Sequence, residues 1–371
     1  MEKYDYLIVG AGLFGCVFAQ QAIENGKTCL IIEKREKLGG NIRTEEIEGI
    51  QVHLYGPHIF HTNDESVWDY MNRFAKFNNF ILSPIANYKG QYFNLPFNMN
   101  TFYQLWGETS PERIKTHIKN ESKSIIIPQN LKEQAISMVG YDIYEKLIKE
   151  YTEKQWGKKC EELPTFIIKR LPLRYCFNNN YFDDKYQGIP IGGYTEIINK
   201  LIKGCDVLTG IDYFDKKEYF NTLANKVVYT GQIDKFYDYC YGELEYRSLS
   251  FKTEILNIPN YQGNSIINFT SHEVPYTRII EHKHFECLSS EDVYKTNKTI
   301  ITKEFPEEFK IDMEPYYPIN DKKNNDLYLK YKKKADNEKH YIFGGRLAEY
   351  KYYNMDDVIK SALITWKNNL D

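Results

Sequence analysis

The chain has 371 residues, a formal net charge of -3 and a sequence pI near 6.3. That length allows two or three domains with sizeable cores, and that charge balance gives no bias toward nucleic acid or an anionic membrane. No apolar run approaches the roughly 18 residues of a membrane-spanning helix, and Met1-Glu2-Lys3 leads straight into a strand-like run with nothing resembling a signal peptide, so a cytoplasmic protein with no membrane insertion is expected.

The first apolar run, Tyr4 to Val9, breaks into Gly10-Ala11-Gly12-Leu13-Phe14-Gly15 and opens a helix-compatible segment, Leu13 to Asn25, that Gly26 closes. Strand, Gly-x-Gly-x-x-Gly and helix in that order predict a dinucleotide site. Gly10 permits the tight turn, Gly12 lets the backbone approach a pyrophosphate, Gly15 lets helix pack on strand, and the helix N-terminus offers oriented N–H groups to the anion. A second apolar run, Thr28 to Ile32, ends at Glu33, about 20 residues past the first glycine, where an acid accepts from a ribose hydroxyl and repels a 2′-phosphate. Gly39-Gly40-Asn41 follows where a nicotinamide enzyme normally enters its next helix. The turn resembles that of flavoproteins of the glutathione reductase and amine oxidase groups, which place such glycines against the flavin, so FAD is expected rather than NAD.

Gly49 to Tyr55 alternates like a strand and runs into Gly56-Pro57-His58-Ile59-Phe60-His61-Thr62. Gly-Pro forbids helix there and no third ligand is near, so the two histidines are expected beside the flavin or its partner strand and not on a metal. From Ser66 to Leu147 the pattern is largely helical, with starts at Asn100-Thr101, Ser110-Pro111 and Asn130-Leu131 and few strands. Gly157 to Gln187 is polar and proline-punctuated, and it holds Arg170 and Arg174, two of only nine arginines. It reads as a mobile lid that carries charge to the ligand, because the rigid guanidinium fork suits a diphosphate better than lysine does.

Gly192-Gly193-Tyr194 caps a helix to Lys203, and Lys226 to Tyr229 is a returning strand. The period-two runs Leu244 to Ile255, Ser265 to Ser271, Tyr276 to Phe285 and Lys298 to Phe305 predict an antiparallel sheet, with Tyr276, Arg278, Ile280, His282 and His284 on one face. Tyr341-Ile342-Phe343 meets Gly344-Gly345, and Met355 to Asn368 is an amphipathic helix capped near Asn354. The seven cysteines, at 16, 29, 160, 176, 205, 240 and 287, include no Cys-x-x-Cys pair, so buried thiols are expected and no disulfide framework or metal site. The expected fold is α/β. A discontinuous Rossmann-like FAD-binding domain (1–75, 188–240 and 326–371) is interrupted by a helical insert with its mobile lid (76–187) and by an antiparallel β-sheet substrate domain (241–325).

Gly12-Leu13-Phe14-Gly15, His58-Ile59-Phe60-His61-Thr62, the run Leu95 to Phe102, Tyr151-Thr152-Glu153-Lys154-Gln155-Trp156-Gly157, the run Tyr276 to Phe285 and Gly344-Gly345-Arg346-Leu347-Ala348-Glu349-Tyr350 together resemble the bacterial UDP-galactopyranose mutases, across essentially the whole chain. The resemblance implies a homodimeric flavoprotein isomerase that interconverts UDP-galactopyranose and UDP-galactofuranose, a furanose donor for cell-surface polysaccharide, without net oxidation. It implies FAD that is active when reduced, an external reductant such as NADPH, a UDP-sugar substrate and a covalent flavin–sugar intermediate formed as UDP departs.

Residue by residue, the resemblance matches Arg170 to a lid arginine and Arg278 to the fixed arginine facing it across the diphosphate, two cations preorganised for a leaving anion. It matches His61 to a histidine beside the flavin whose backbone responds to redox state. Tyr317 and Tyr352 match diphosphate donors, and Tyr151, Thr152, Gln155, Trp156 and Asn268 match the nucleotide and sugar side of the cleft. Tyr181 matches a lid tyrosine, and Arg247 an arginine near flavin or substrate. The expected cofactor residues are Gly10, Gly12, Phe14, Gly15, Glu33, Lys34, Gly39, Gly40, Asn41, His58, Gly345 and Arg346.

Two positions depart from the pattern. Asn354 stands where the family more often shows Asp, so no charged role is carried to it. Pro57 stands where a small alanine-like residue is common and stiffens the backbone before His58, which bears on the choice of sugar. The alternatives are the same mutase chemistry on UDP-N-acetylgalactopyranose or a dTDP-6-deoxy sugar, an amine-oxidase-like redox flavoprotein, and a non-catalytic dinucleotide-binding module.

Overall fold

In the computed structural model, residues 3–169, 171–287, 289 and 291–370 are described. A parallel five-stranded sheet, in spatial order Tyr341–Phe343, Ala224–Tyr229, Tyr4–Val9, Cys29–Glu33 and Asp206–Thr209, draws its strands from separated stretches of the chain. Successive side chains on a strand point to opposite faces. Tyr6, Ile8 and Ile31 therefore enter a core shared with the helices Leu13–Glu24, Tyr194–Leu201 and Met355–Lys367, whereas Leu7, Val9, Leu30 and Ile32 enter one with Tyr213, Phe220, Phe236 and Tyr331. Burial on both faces is why Tyr6–Val9, the last four residues of that strand, reads as an unbroken apolar run.

Helix Leu13–Glu24 is the centre of this unit and is buried nearly all round. Phe18 meets Trp366 of the C-terminal helix edge-on at 5.4 Å and Tyr6 of the first strand at 5.2 Å. The turn before it demands glycine: Gly10 has φ +104, and a Cβ there would fall 2.2 Å from Thr230 Oγ1.

The second sheet has seven strands, in the order Tyr317–Pro318, Tyr246–Leu256, Thr299–Glu308, Arg278–Glu281, Ile266–Phe269, Ile85–Tyr88 and Gln91–Asn94. Its pairings are antiparallel except where Ile266–Phe269 meets Ile85–Tyr88. The hairpin Ile85–Asn94 lies inside the stretch expected to be largely helical. Its turn, Lys89-Gly90, has positive φ at both residues, the backbone that closes a two-residue hairpin. The run from Tyr276 also differs from expectation, since the strand stops at Glu281 and His282–Glu286 is a tight 3-10 turn, so the two histidines leave the face of Arg278. Glu281 ends it by accepting from the backbone N–H groups of Tyr261 and Gln262 and from the Thr299 hydroxyl.

Helices Met99–Trp106, Pro111–Glu121 and Leu131–Val139 build a separate core around Phe102, Ile114, Ile118 and Leu131. Ser110 and Asn130 are N-caps as read, but the first helix starts earlier: Asn98 accepts from the N–H of Asn100, and the Thr101 hydroxyl accepts from the N–H of Asn98, a capping box. A π-helical turn, Tyr144–Lys149, then runs into helix Glu150–Trp156. Among the cysteines, 16, 29 and 160 are buried and 205 partly so, but 176, 240 and 287 are exposed in loops and turns. No helix among the described residues is long and apolar enough to cross a membrane.

Candidate active site

A cleft of about 930 Å³ extends from the carboxyl ends of the parallel strands to the seven-stranded sheet, the position where open α/β sheets take their ligands. At its first end lie Gly10, Gly12, Phe14, Gly15, Glu33, Lys34, Gly39, Gly40, Asn41, Gly345 and Arg346. The two glycine turns touch, since a Cβ on Gly40 would come 3.0 Å from Gly12 Cα. Glu33 is buried at the base of the turn, with Oε2 accepting from Ala11 N–H at 2.8 Å and Oε1 from Arg35 N–H at 2.9 Å. A Cβ on Gly12 would meet nothing within 4 Å, and the first N–H groups of the helix have no partner within it. An open cradle at a helix N-terminus, a fixed carboxylate beyond it and a cleft that continues past both are what an extended dinucleotide requires, and the residues fit one.

Arg35 and Glu314 join this end without having been picked out in the sequence. Arg35 lies over the Tyr55 ring at 4.5 Å and pairs with Glu314 at 3.0 Å, and Lys34 reaches the other Glu314 oxygen at 2.6 Å. Arg35 Nη1 is buried with no hydrogen-bond partner in the chain. A scarce arginine two residues past the ribose acid was the available signal.

Midway, His58 donates from Nδ1 to Gly56 O at 2.9 Å, while its backbone N–H donates to His53 Nδ1 at 3.1 Å. Burial, then the nearby Arg346 charge, pushes its pKa down to about 4, so the ring is neutral with Nε2 as an acceptor. His61 lies in the same wall, its Nδ1 2.7 Å from Asp184 Oδ2 and its ring stacked on Phe182 at 3.7 Å. Asp184, also bound by the Asn63 amide, ties His61 to the 157–187 segment, and sequence reasoning missed it.

At the far end, Arg278 Nε donates to Glu304 Oε1 at 2.9 Å. Burial alone would depress its pKa, but the Glu304 carboxylate more than offsets this and holds the cation firmly charged. Glu304 is 2% exposed, and its Oε2 has no hydrogen-bond partner in the chain. Burial pushes the Tyr151 phenol up to about 12 and raises those of Tyr181 and Tyr317, so all three are protonated donors at neutral pH. The Tyr317 and Tyr352 rings lie 5.6 Å apart. Thr152, Gln155 and Trp156 line the same wall, as does Asn268, which stands opposite Arg278 in the strand register and keeps a buried Oδ1 without a partner. Pro57 and Asn354 also line the cleft, and Asn354 starts its helix without a side-chain cap bond.

Two arginines differ from the rest. Arg247 is not in the cleft wall but behind it: its Nε donates to Gln155 O at 3.0 Å, and it packs against Gly157. Arg170 lies outside the described residues. Arg174, the other arginine of that segment, donates to the carbonyls of Asn180 and Tyr181 and pairs with Asp183 at 2.6 Å, which fixes the turn that presents Tyr181.

Residues 146–352 match a family model described as UDP-galactopyranose mutase, and residues 8–74 one described as an NAD(P)-binding Rossmann-like domain. The chain is 39% identical to a probable UDP-galactopyranose mutase of Klebsiella pneumoniae, over 98% of this chain and 94% of that protein. It is 36% identical to the dTDP-fucopyranose mutase of Escherichia coli, over 96% of each. In fold it is similar to a reduced UDP-galactopyranose mutase (TM-score 0.76, 15% identity, 99% of this chain and 94% of that one). It is also similar in fold to a putrescine oxidase, at TM-score 0.55 and 12% identity over 99% of each chain.

Proposed function

The chain belongs to the UDP-galactopyranose mutase family, and from that premise we propose that it interconverts UDP-galactopyranose and UDP-galactofuranose on a bound, reduced FAD. The observation that carries the reading is the Arg278–Glu304 pair among protonated tyrosines in the same cleft as the glycine turns. A diphosphate leaving the anomeric carbon gains negative charge. Arg278, held by Glu304 and needing no reorientation, stabilises that charge, and the Tyr151 and Tyr317 hydroxyls donate to the same oxygens. Trp156 offers the sugar an aromatic face. Burial of this end excludes water and strengthens each contact. Neutral His58 presents an acceptor toward the flavin region without adding a competing cation. Reduced flavin, when bound, supplies the nucleophile that holds the anomeric carbon while UDP is away.

The same reading takes Arg170 as the second cation, the 157–187 segment as a lid, and residues 1–75, 188–240 and 326–371 as one FAD-binding domain. It also takes an external reductant such as NADPH, a cytoplasmic homodimer and product use in cell-surface polysaccharide. A second reading, the same chemistry on a dTDP-6-deoxy sugar, draws support from the Escherichia coli relative, whose identity to this chain is nearly as high as that of the Klebsiella protein, and from Pro57 in the cleft wall.

The test is to assay the dithionite-reduced holoprotein on UDP-galactopyranose, UDP-N-acetylgalactopyranose and dTDP-fucopyranose, with chromatography of the furanose products. Turnover of the first supports the proposal, preference for the third supports the second reading, and substrate-driven flavin reduction without isomerisation refutes both. Quenching turnover with a hydride reagent should leave flavin heavier by one hexosyl unit, and full activity of the oxidised protein counts against the nucleophilic role. Arg170→Ala should lower turnover roughly a hundredfold with flavin retained, and an unchanged rate removes Arg170 from the reading.

A further inference from the structure

Helix Glu150–Trp156 carries Tyr151, Thr152, Gln155 and Trp156 in the cleft wall, and Arg278 reaches the same space from the other sheet. Lys154, on that helix, does not line the cleft. Its side chain enters the loop between the strands Ile266–Phe269 and Arg278–Glu281, where Nζ donates to the main-chain carbonyls of Phe269 at 2.7 Å, Ser271 at 2.8 Å and Tyr276 at 3.0 Å, with Val274 O at 3.3 Å. An ammonium has three hydrogens, so this cage saturates it.

The same helix grips the loop twice more. Glu150 accepts from the His272 N–H, and Glu153 lies 3.3 Å from His272 Nε2. From the cage the chain runs directly into the cation: Tyr276 precedes Thr277, whose N–H donates to Glu304 O at 2.9 Å, and then comes Arg278, bound to the Glu304 side chain.

Burying an ammonium costs stability unless every hydrogen is satisfied. Burial, opposed by Glu150, pulls the Lys154 pKa down to about 8, so the group is still mainly charged at neutral pH. Packing alone asks for no charge here, since a methionine of similar length would fill the channel. What the ammonium adds is a three-way main-chain anchor of fixed length.

We propose that Lys154 is a positioning residue: its ammonium, caged by the carbonyls of the 269–276 loop, sets the spacing between the aromatic wall on helix Glu150–Trp156 and Arg278. The kinetic part of this inference rests on the mutase reading, and the structural part does not.

The test uses the full-length holoenzyme with Lys154→Ala and Lys154→Met. Both variants are expected to keep their flavin. Displacing reacting groups by about 1 Å costs on the order of a hundredfold, so kcat should fall about 30- to 100-fold with KM changed far less, and the 269–276 amides should exchange hydrogen faster. Methylammonium, which reproduces the lost head group, should restore Lys154→Ala saturably and slow that exchange. Tetramethylammonium at the same ionic strength, having no N–H, should not, and Lys154→Met, whose stem fills the channel, should respond to neither. Wild-type kcat in either variant, or equal rescue by the two cations, overturns the proposal. So does failure of both variants to fold as holoenzymes, which assigns the lysine to the fold and not to the site. A wild type inactive on every sugar nucleotide sinks the mutase reading, while the exchange rates and their response to methylammonium still decide the role of Lys154.

Discussion

Gly12→Ala and Gly15→Ala separate what the first glycine turn does for the protein from what it does for the cofactor. At Gly15 an added Cβ would fall 2.3 Å from Gly10 O and 3.0 Å from Ile8 Cγ2. The carbonyl cannot rotate away, because the N–H of the same peptide unit, that of Ala11, is held by the buried Glu33 carboxylate at 2.8 Å. A carbon–oxygen contact needs about 3.3 Å, so the helix must lift off its strand by roughly 1 Å while Trp366 pins its far side. Overpacking of this kind costs about 1–3 kcal/mol. Backbone on one side and a filled core on the other put this case near the upper end, and the apoprotein should melt several degrees lower.

At Gly12 the backbone (φ -78, ψ 179) is open to any residue and the added Cβ meets nothing. The folding cost is then the helix N-cap preference of glycine over alanine, about 0.5 kcal/mol. The Cβ stands instead in the path of an anion approaching the helix N-terminus. Losing one hydrogen bond to a charged group costs about 1.5–3 kcal/mol, which is roughly tenfold to a hundredfold in the FAD dissociation constant. Apoprotein melting by circular dichroism and FAD titration by fluorescence quenching read the two effects separately. Wild-type FAD affinity in Gly12→Ala refutes the placement of the pyrophosphate, and wild-type melting in Gly15→Ala refutes the packing argument.

Arg278→Ala should lower turnover roughly a hundredfold with flavin retained. Arg278→Lys should fail to rescue it, because a point charge cannot hold Glu304 with one nitrogen and face the cleft with the others; full rescue contradicts this. Burial keeps His58 and His282 neutral, with pKa values down to about 4 and about 3, and His53 well below its ordinary value. Between about pH 6.5 and pH 4 these sites bind more protons in the unfolded chain than in the folded one, so their contribution to stability falls as pH falls through that window, by roughly 2 kcal/mol each for His58 and His282 between pH 7 and pH 5. The urea midpoint should drop from pH 7 to pH 5, and an equal or higher midpoint at pH 5 rules the argument out. Trp366→Ala empties the space between Phe18 and Tyr6 and should cost about 4 kcal/mol in denaturant unfolding; a loss under about 1 kcal/mol shows that the cavity collapses.

The glycine turns, Glu33, the N-caps at Ser110 and Asn130 and most strands of the two sheets were legible in the sequence because their physics is local. A turn's φ, a cap's hydrogen bond and a strand's alternation are each decided within a few residues. The hairpin Ile85–Asn94 was hidden because four-residue strands carry too short a pattern to stand out among helices. Contacts across the chain were not legible at all. Alternation places Glu304 on one face of its strand, but only the register that sets Arg278 opposite Glu304 makes them a pair. Nothing local joins Asp184 to His61, or Glu314 to Arg35. The resemblance matched Arg247 to an arginine near flavin or substrate, yet only packing decides that it lies behind the cleft wall, bound to Gln155. Local sequence sets the backbone of each element, whereas the environment of a charge depends on what the rest of the chain brings within a few ångströms of it, and that was decided by the tertiary structure alone.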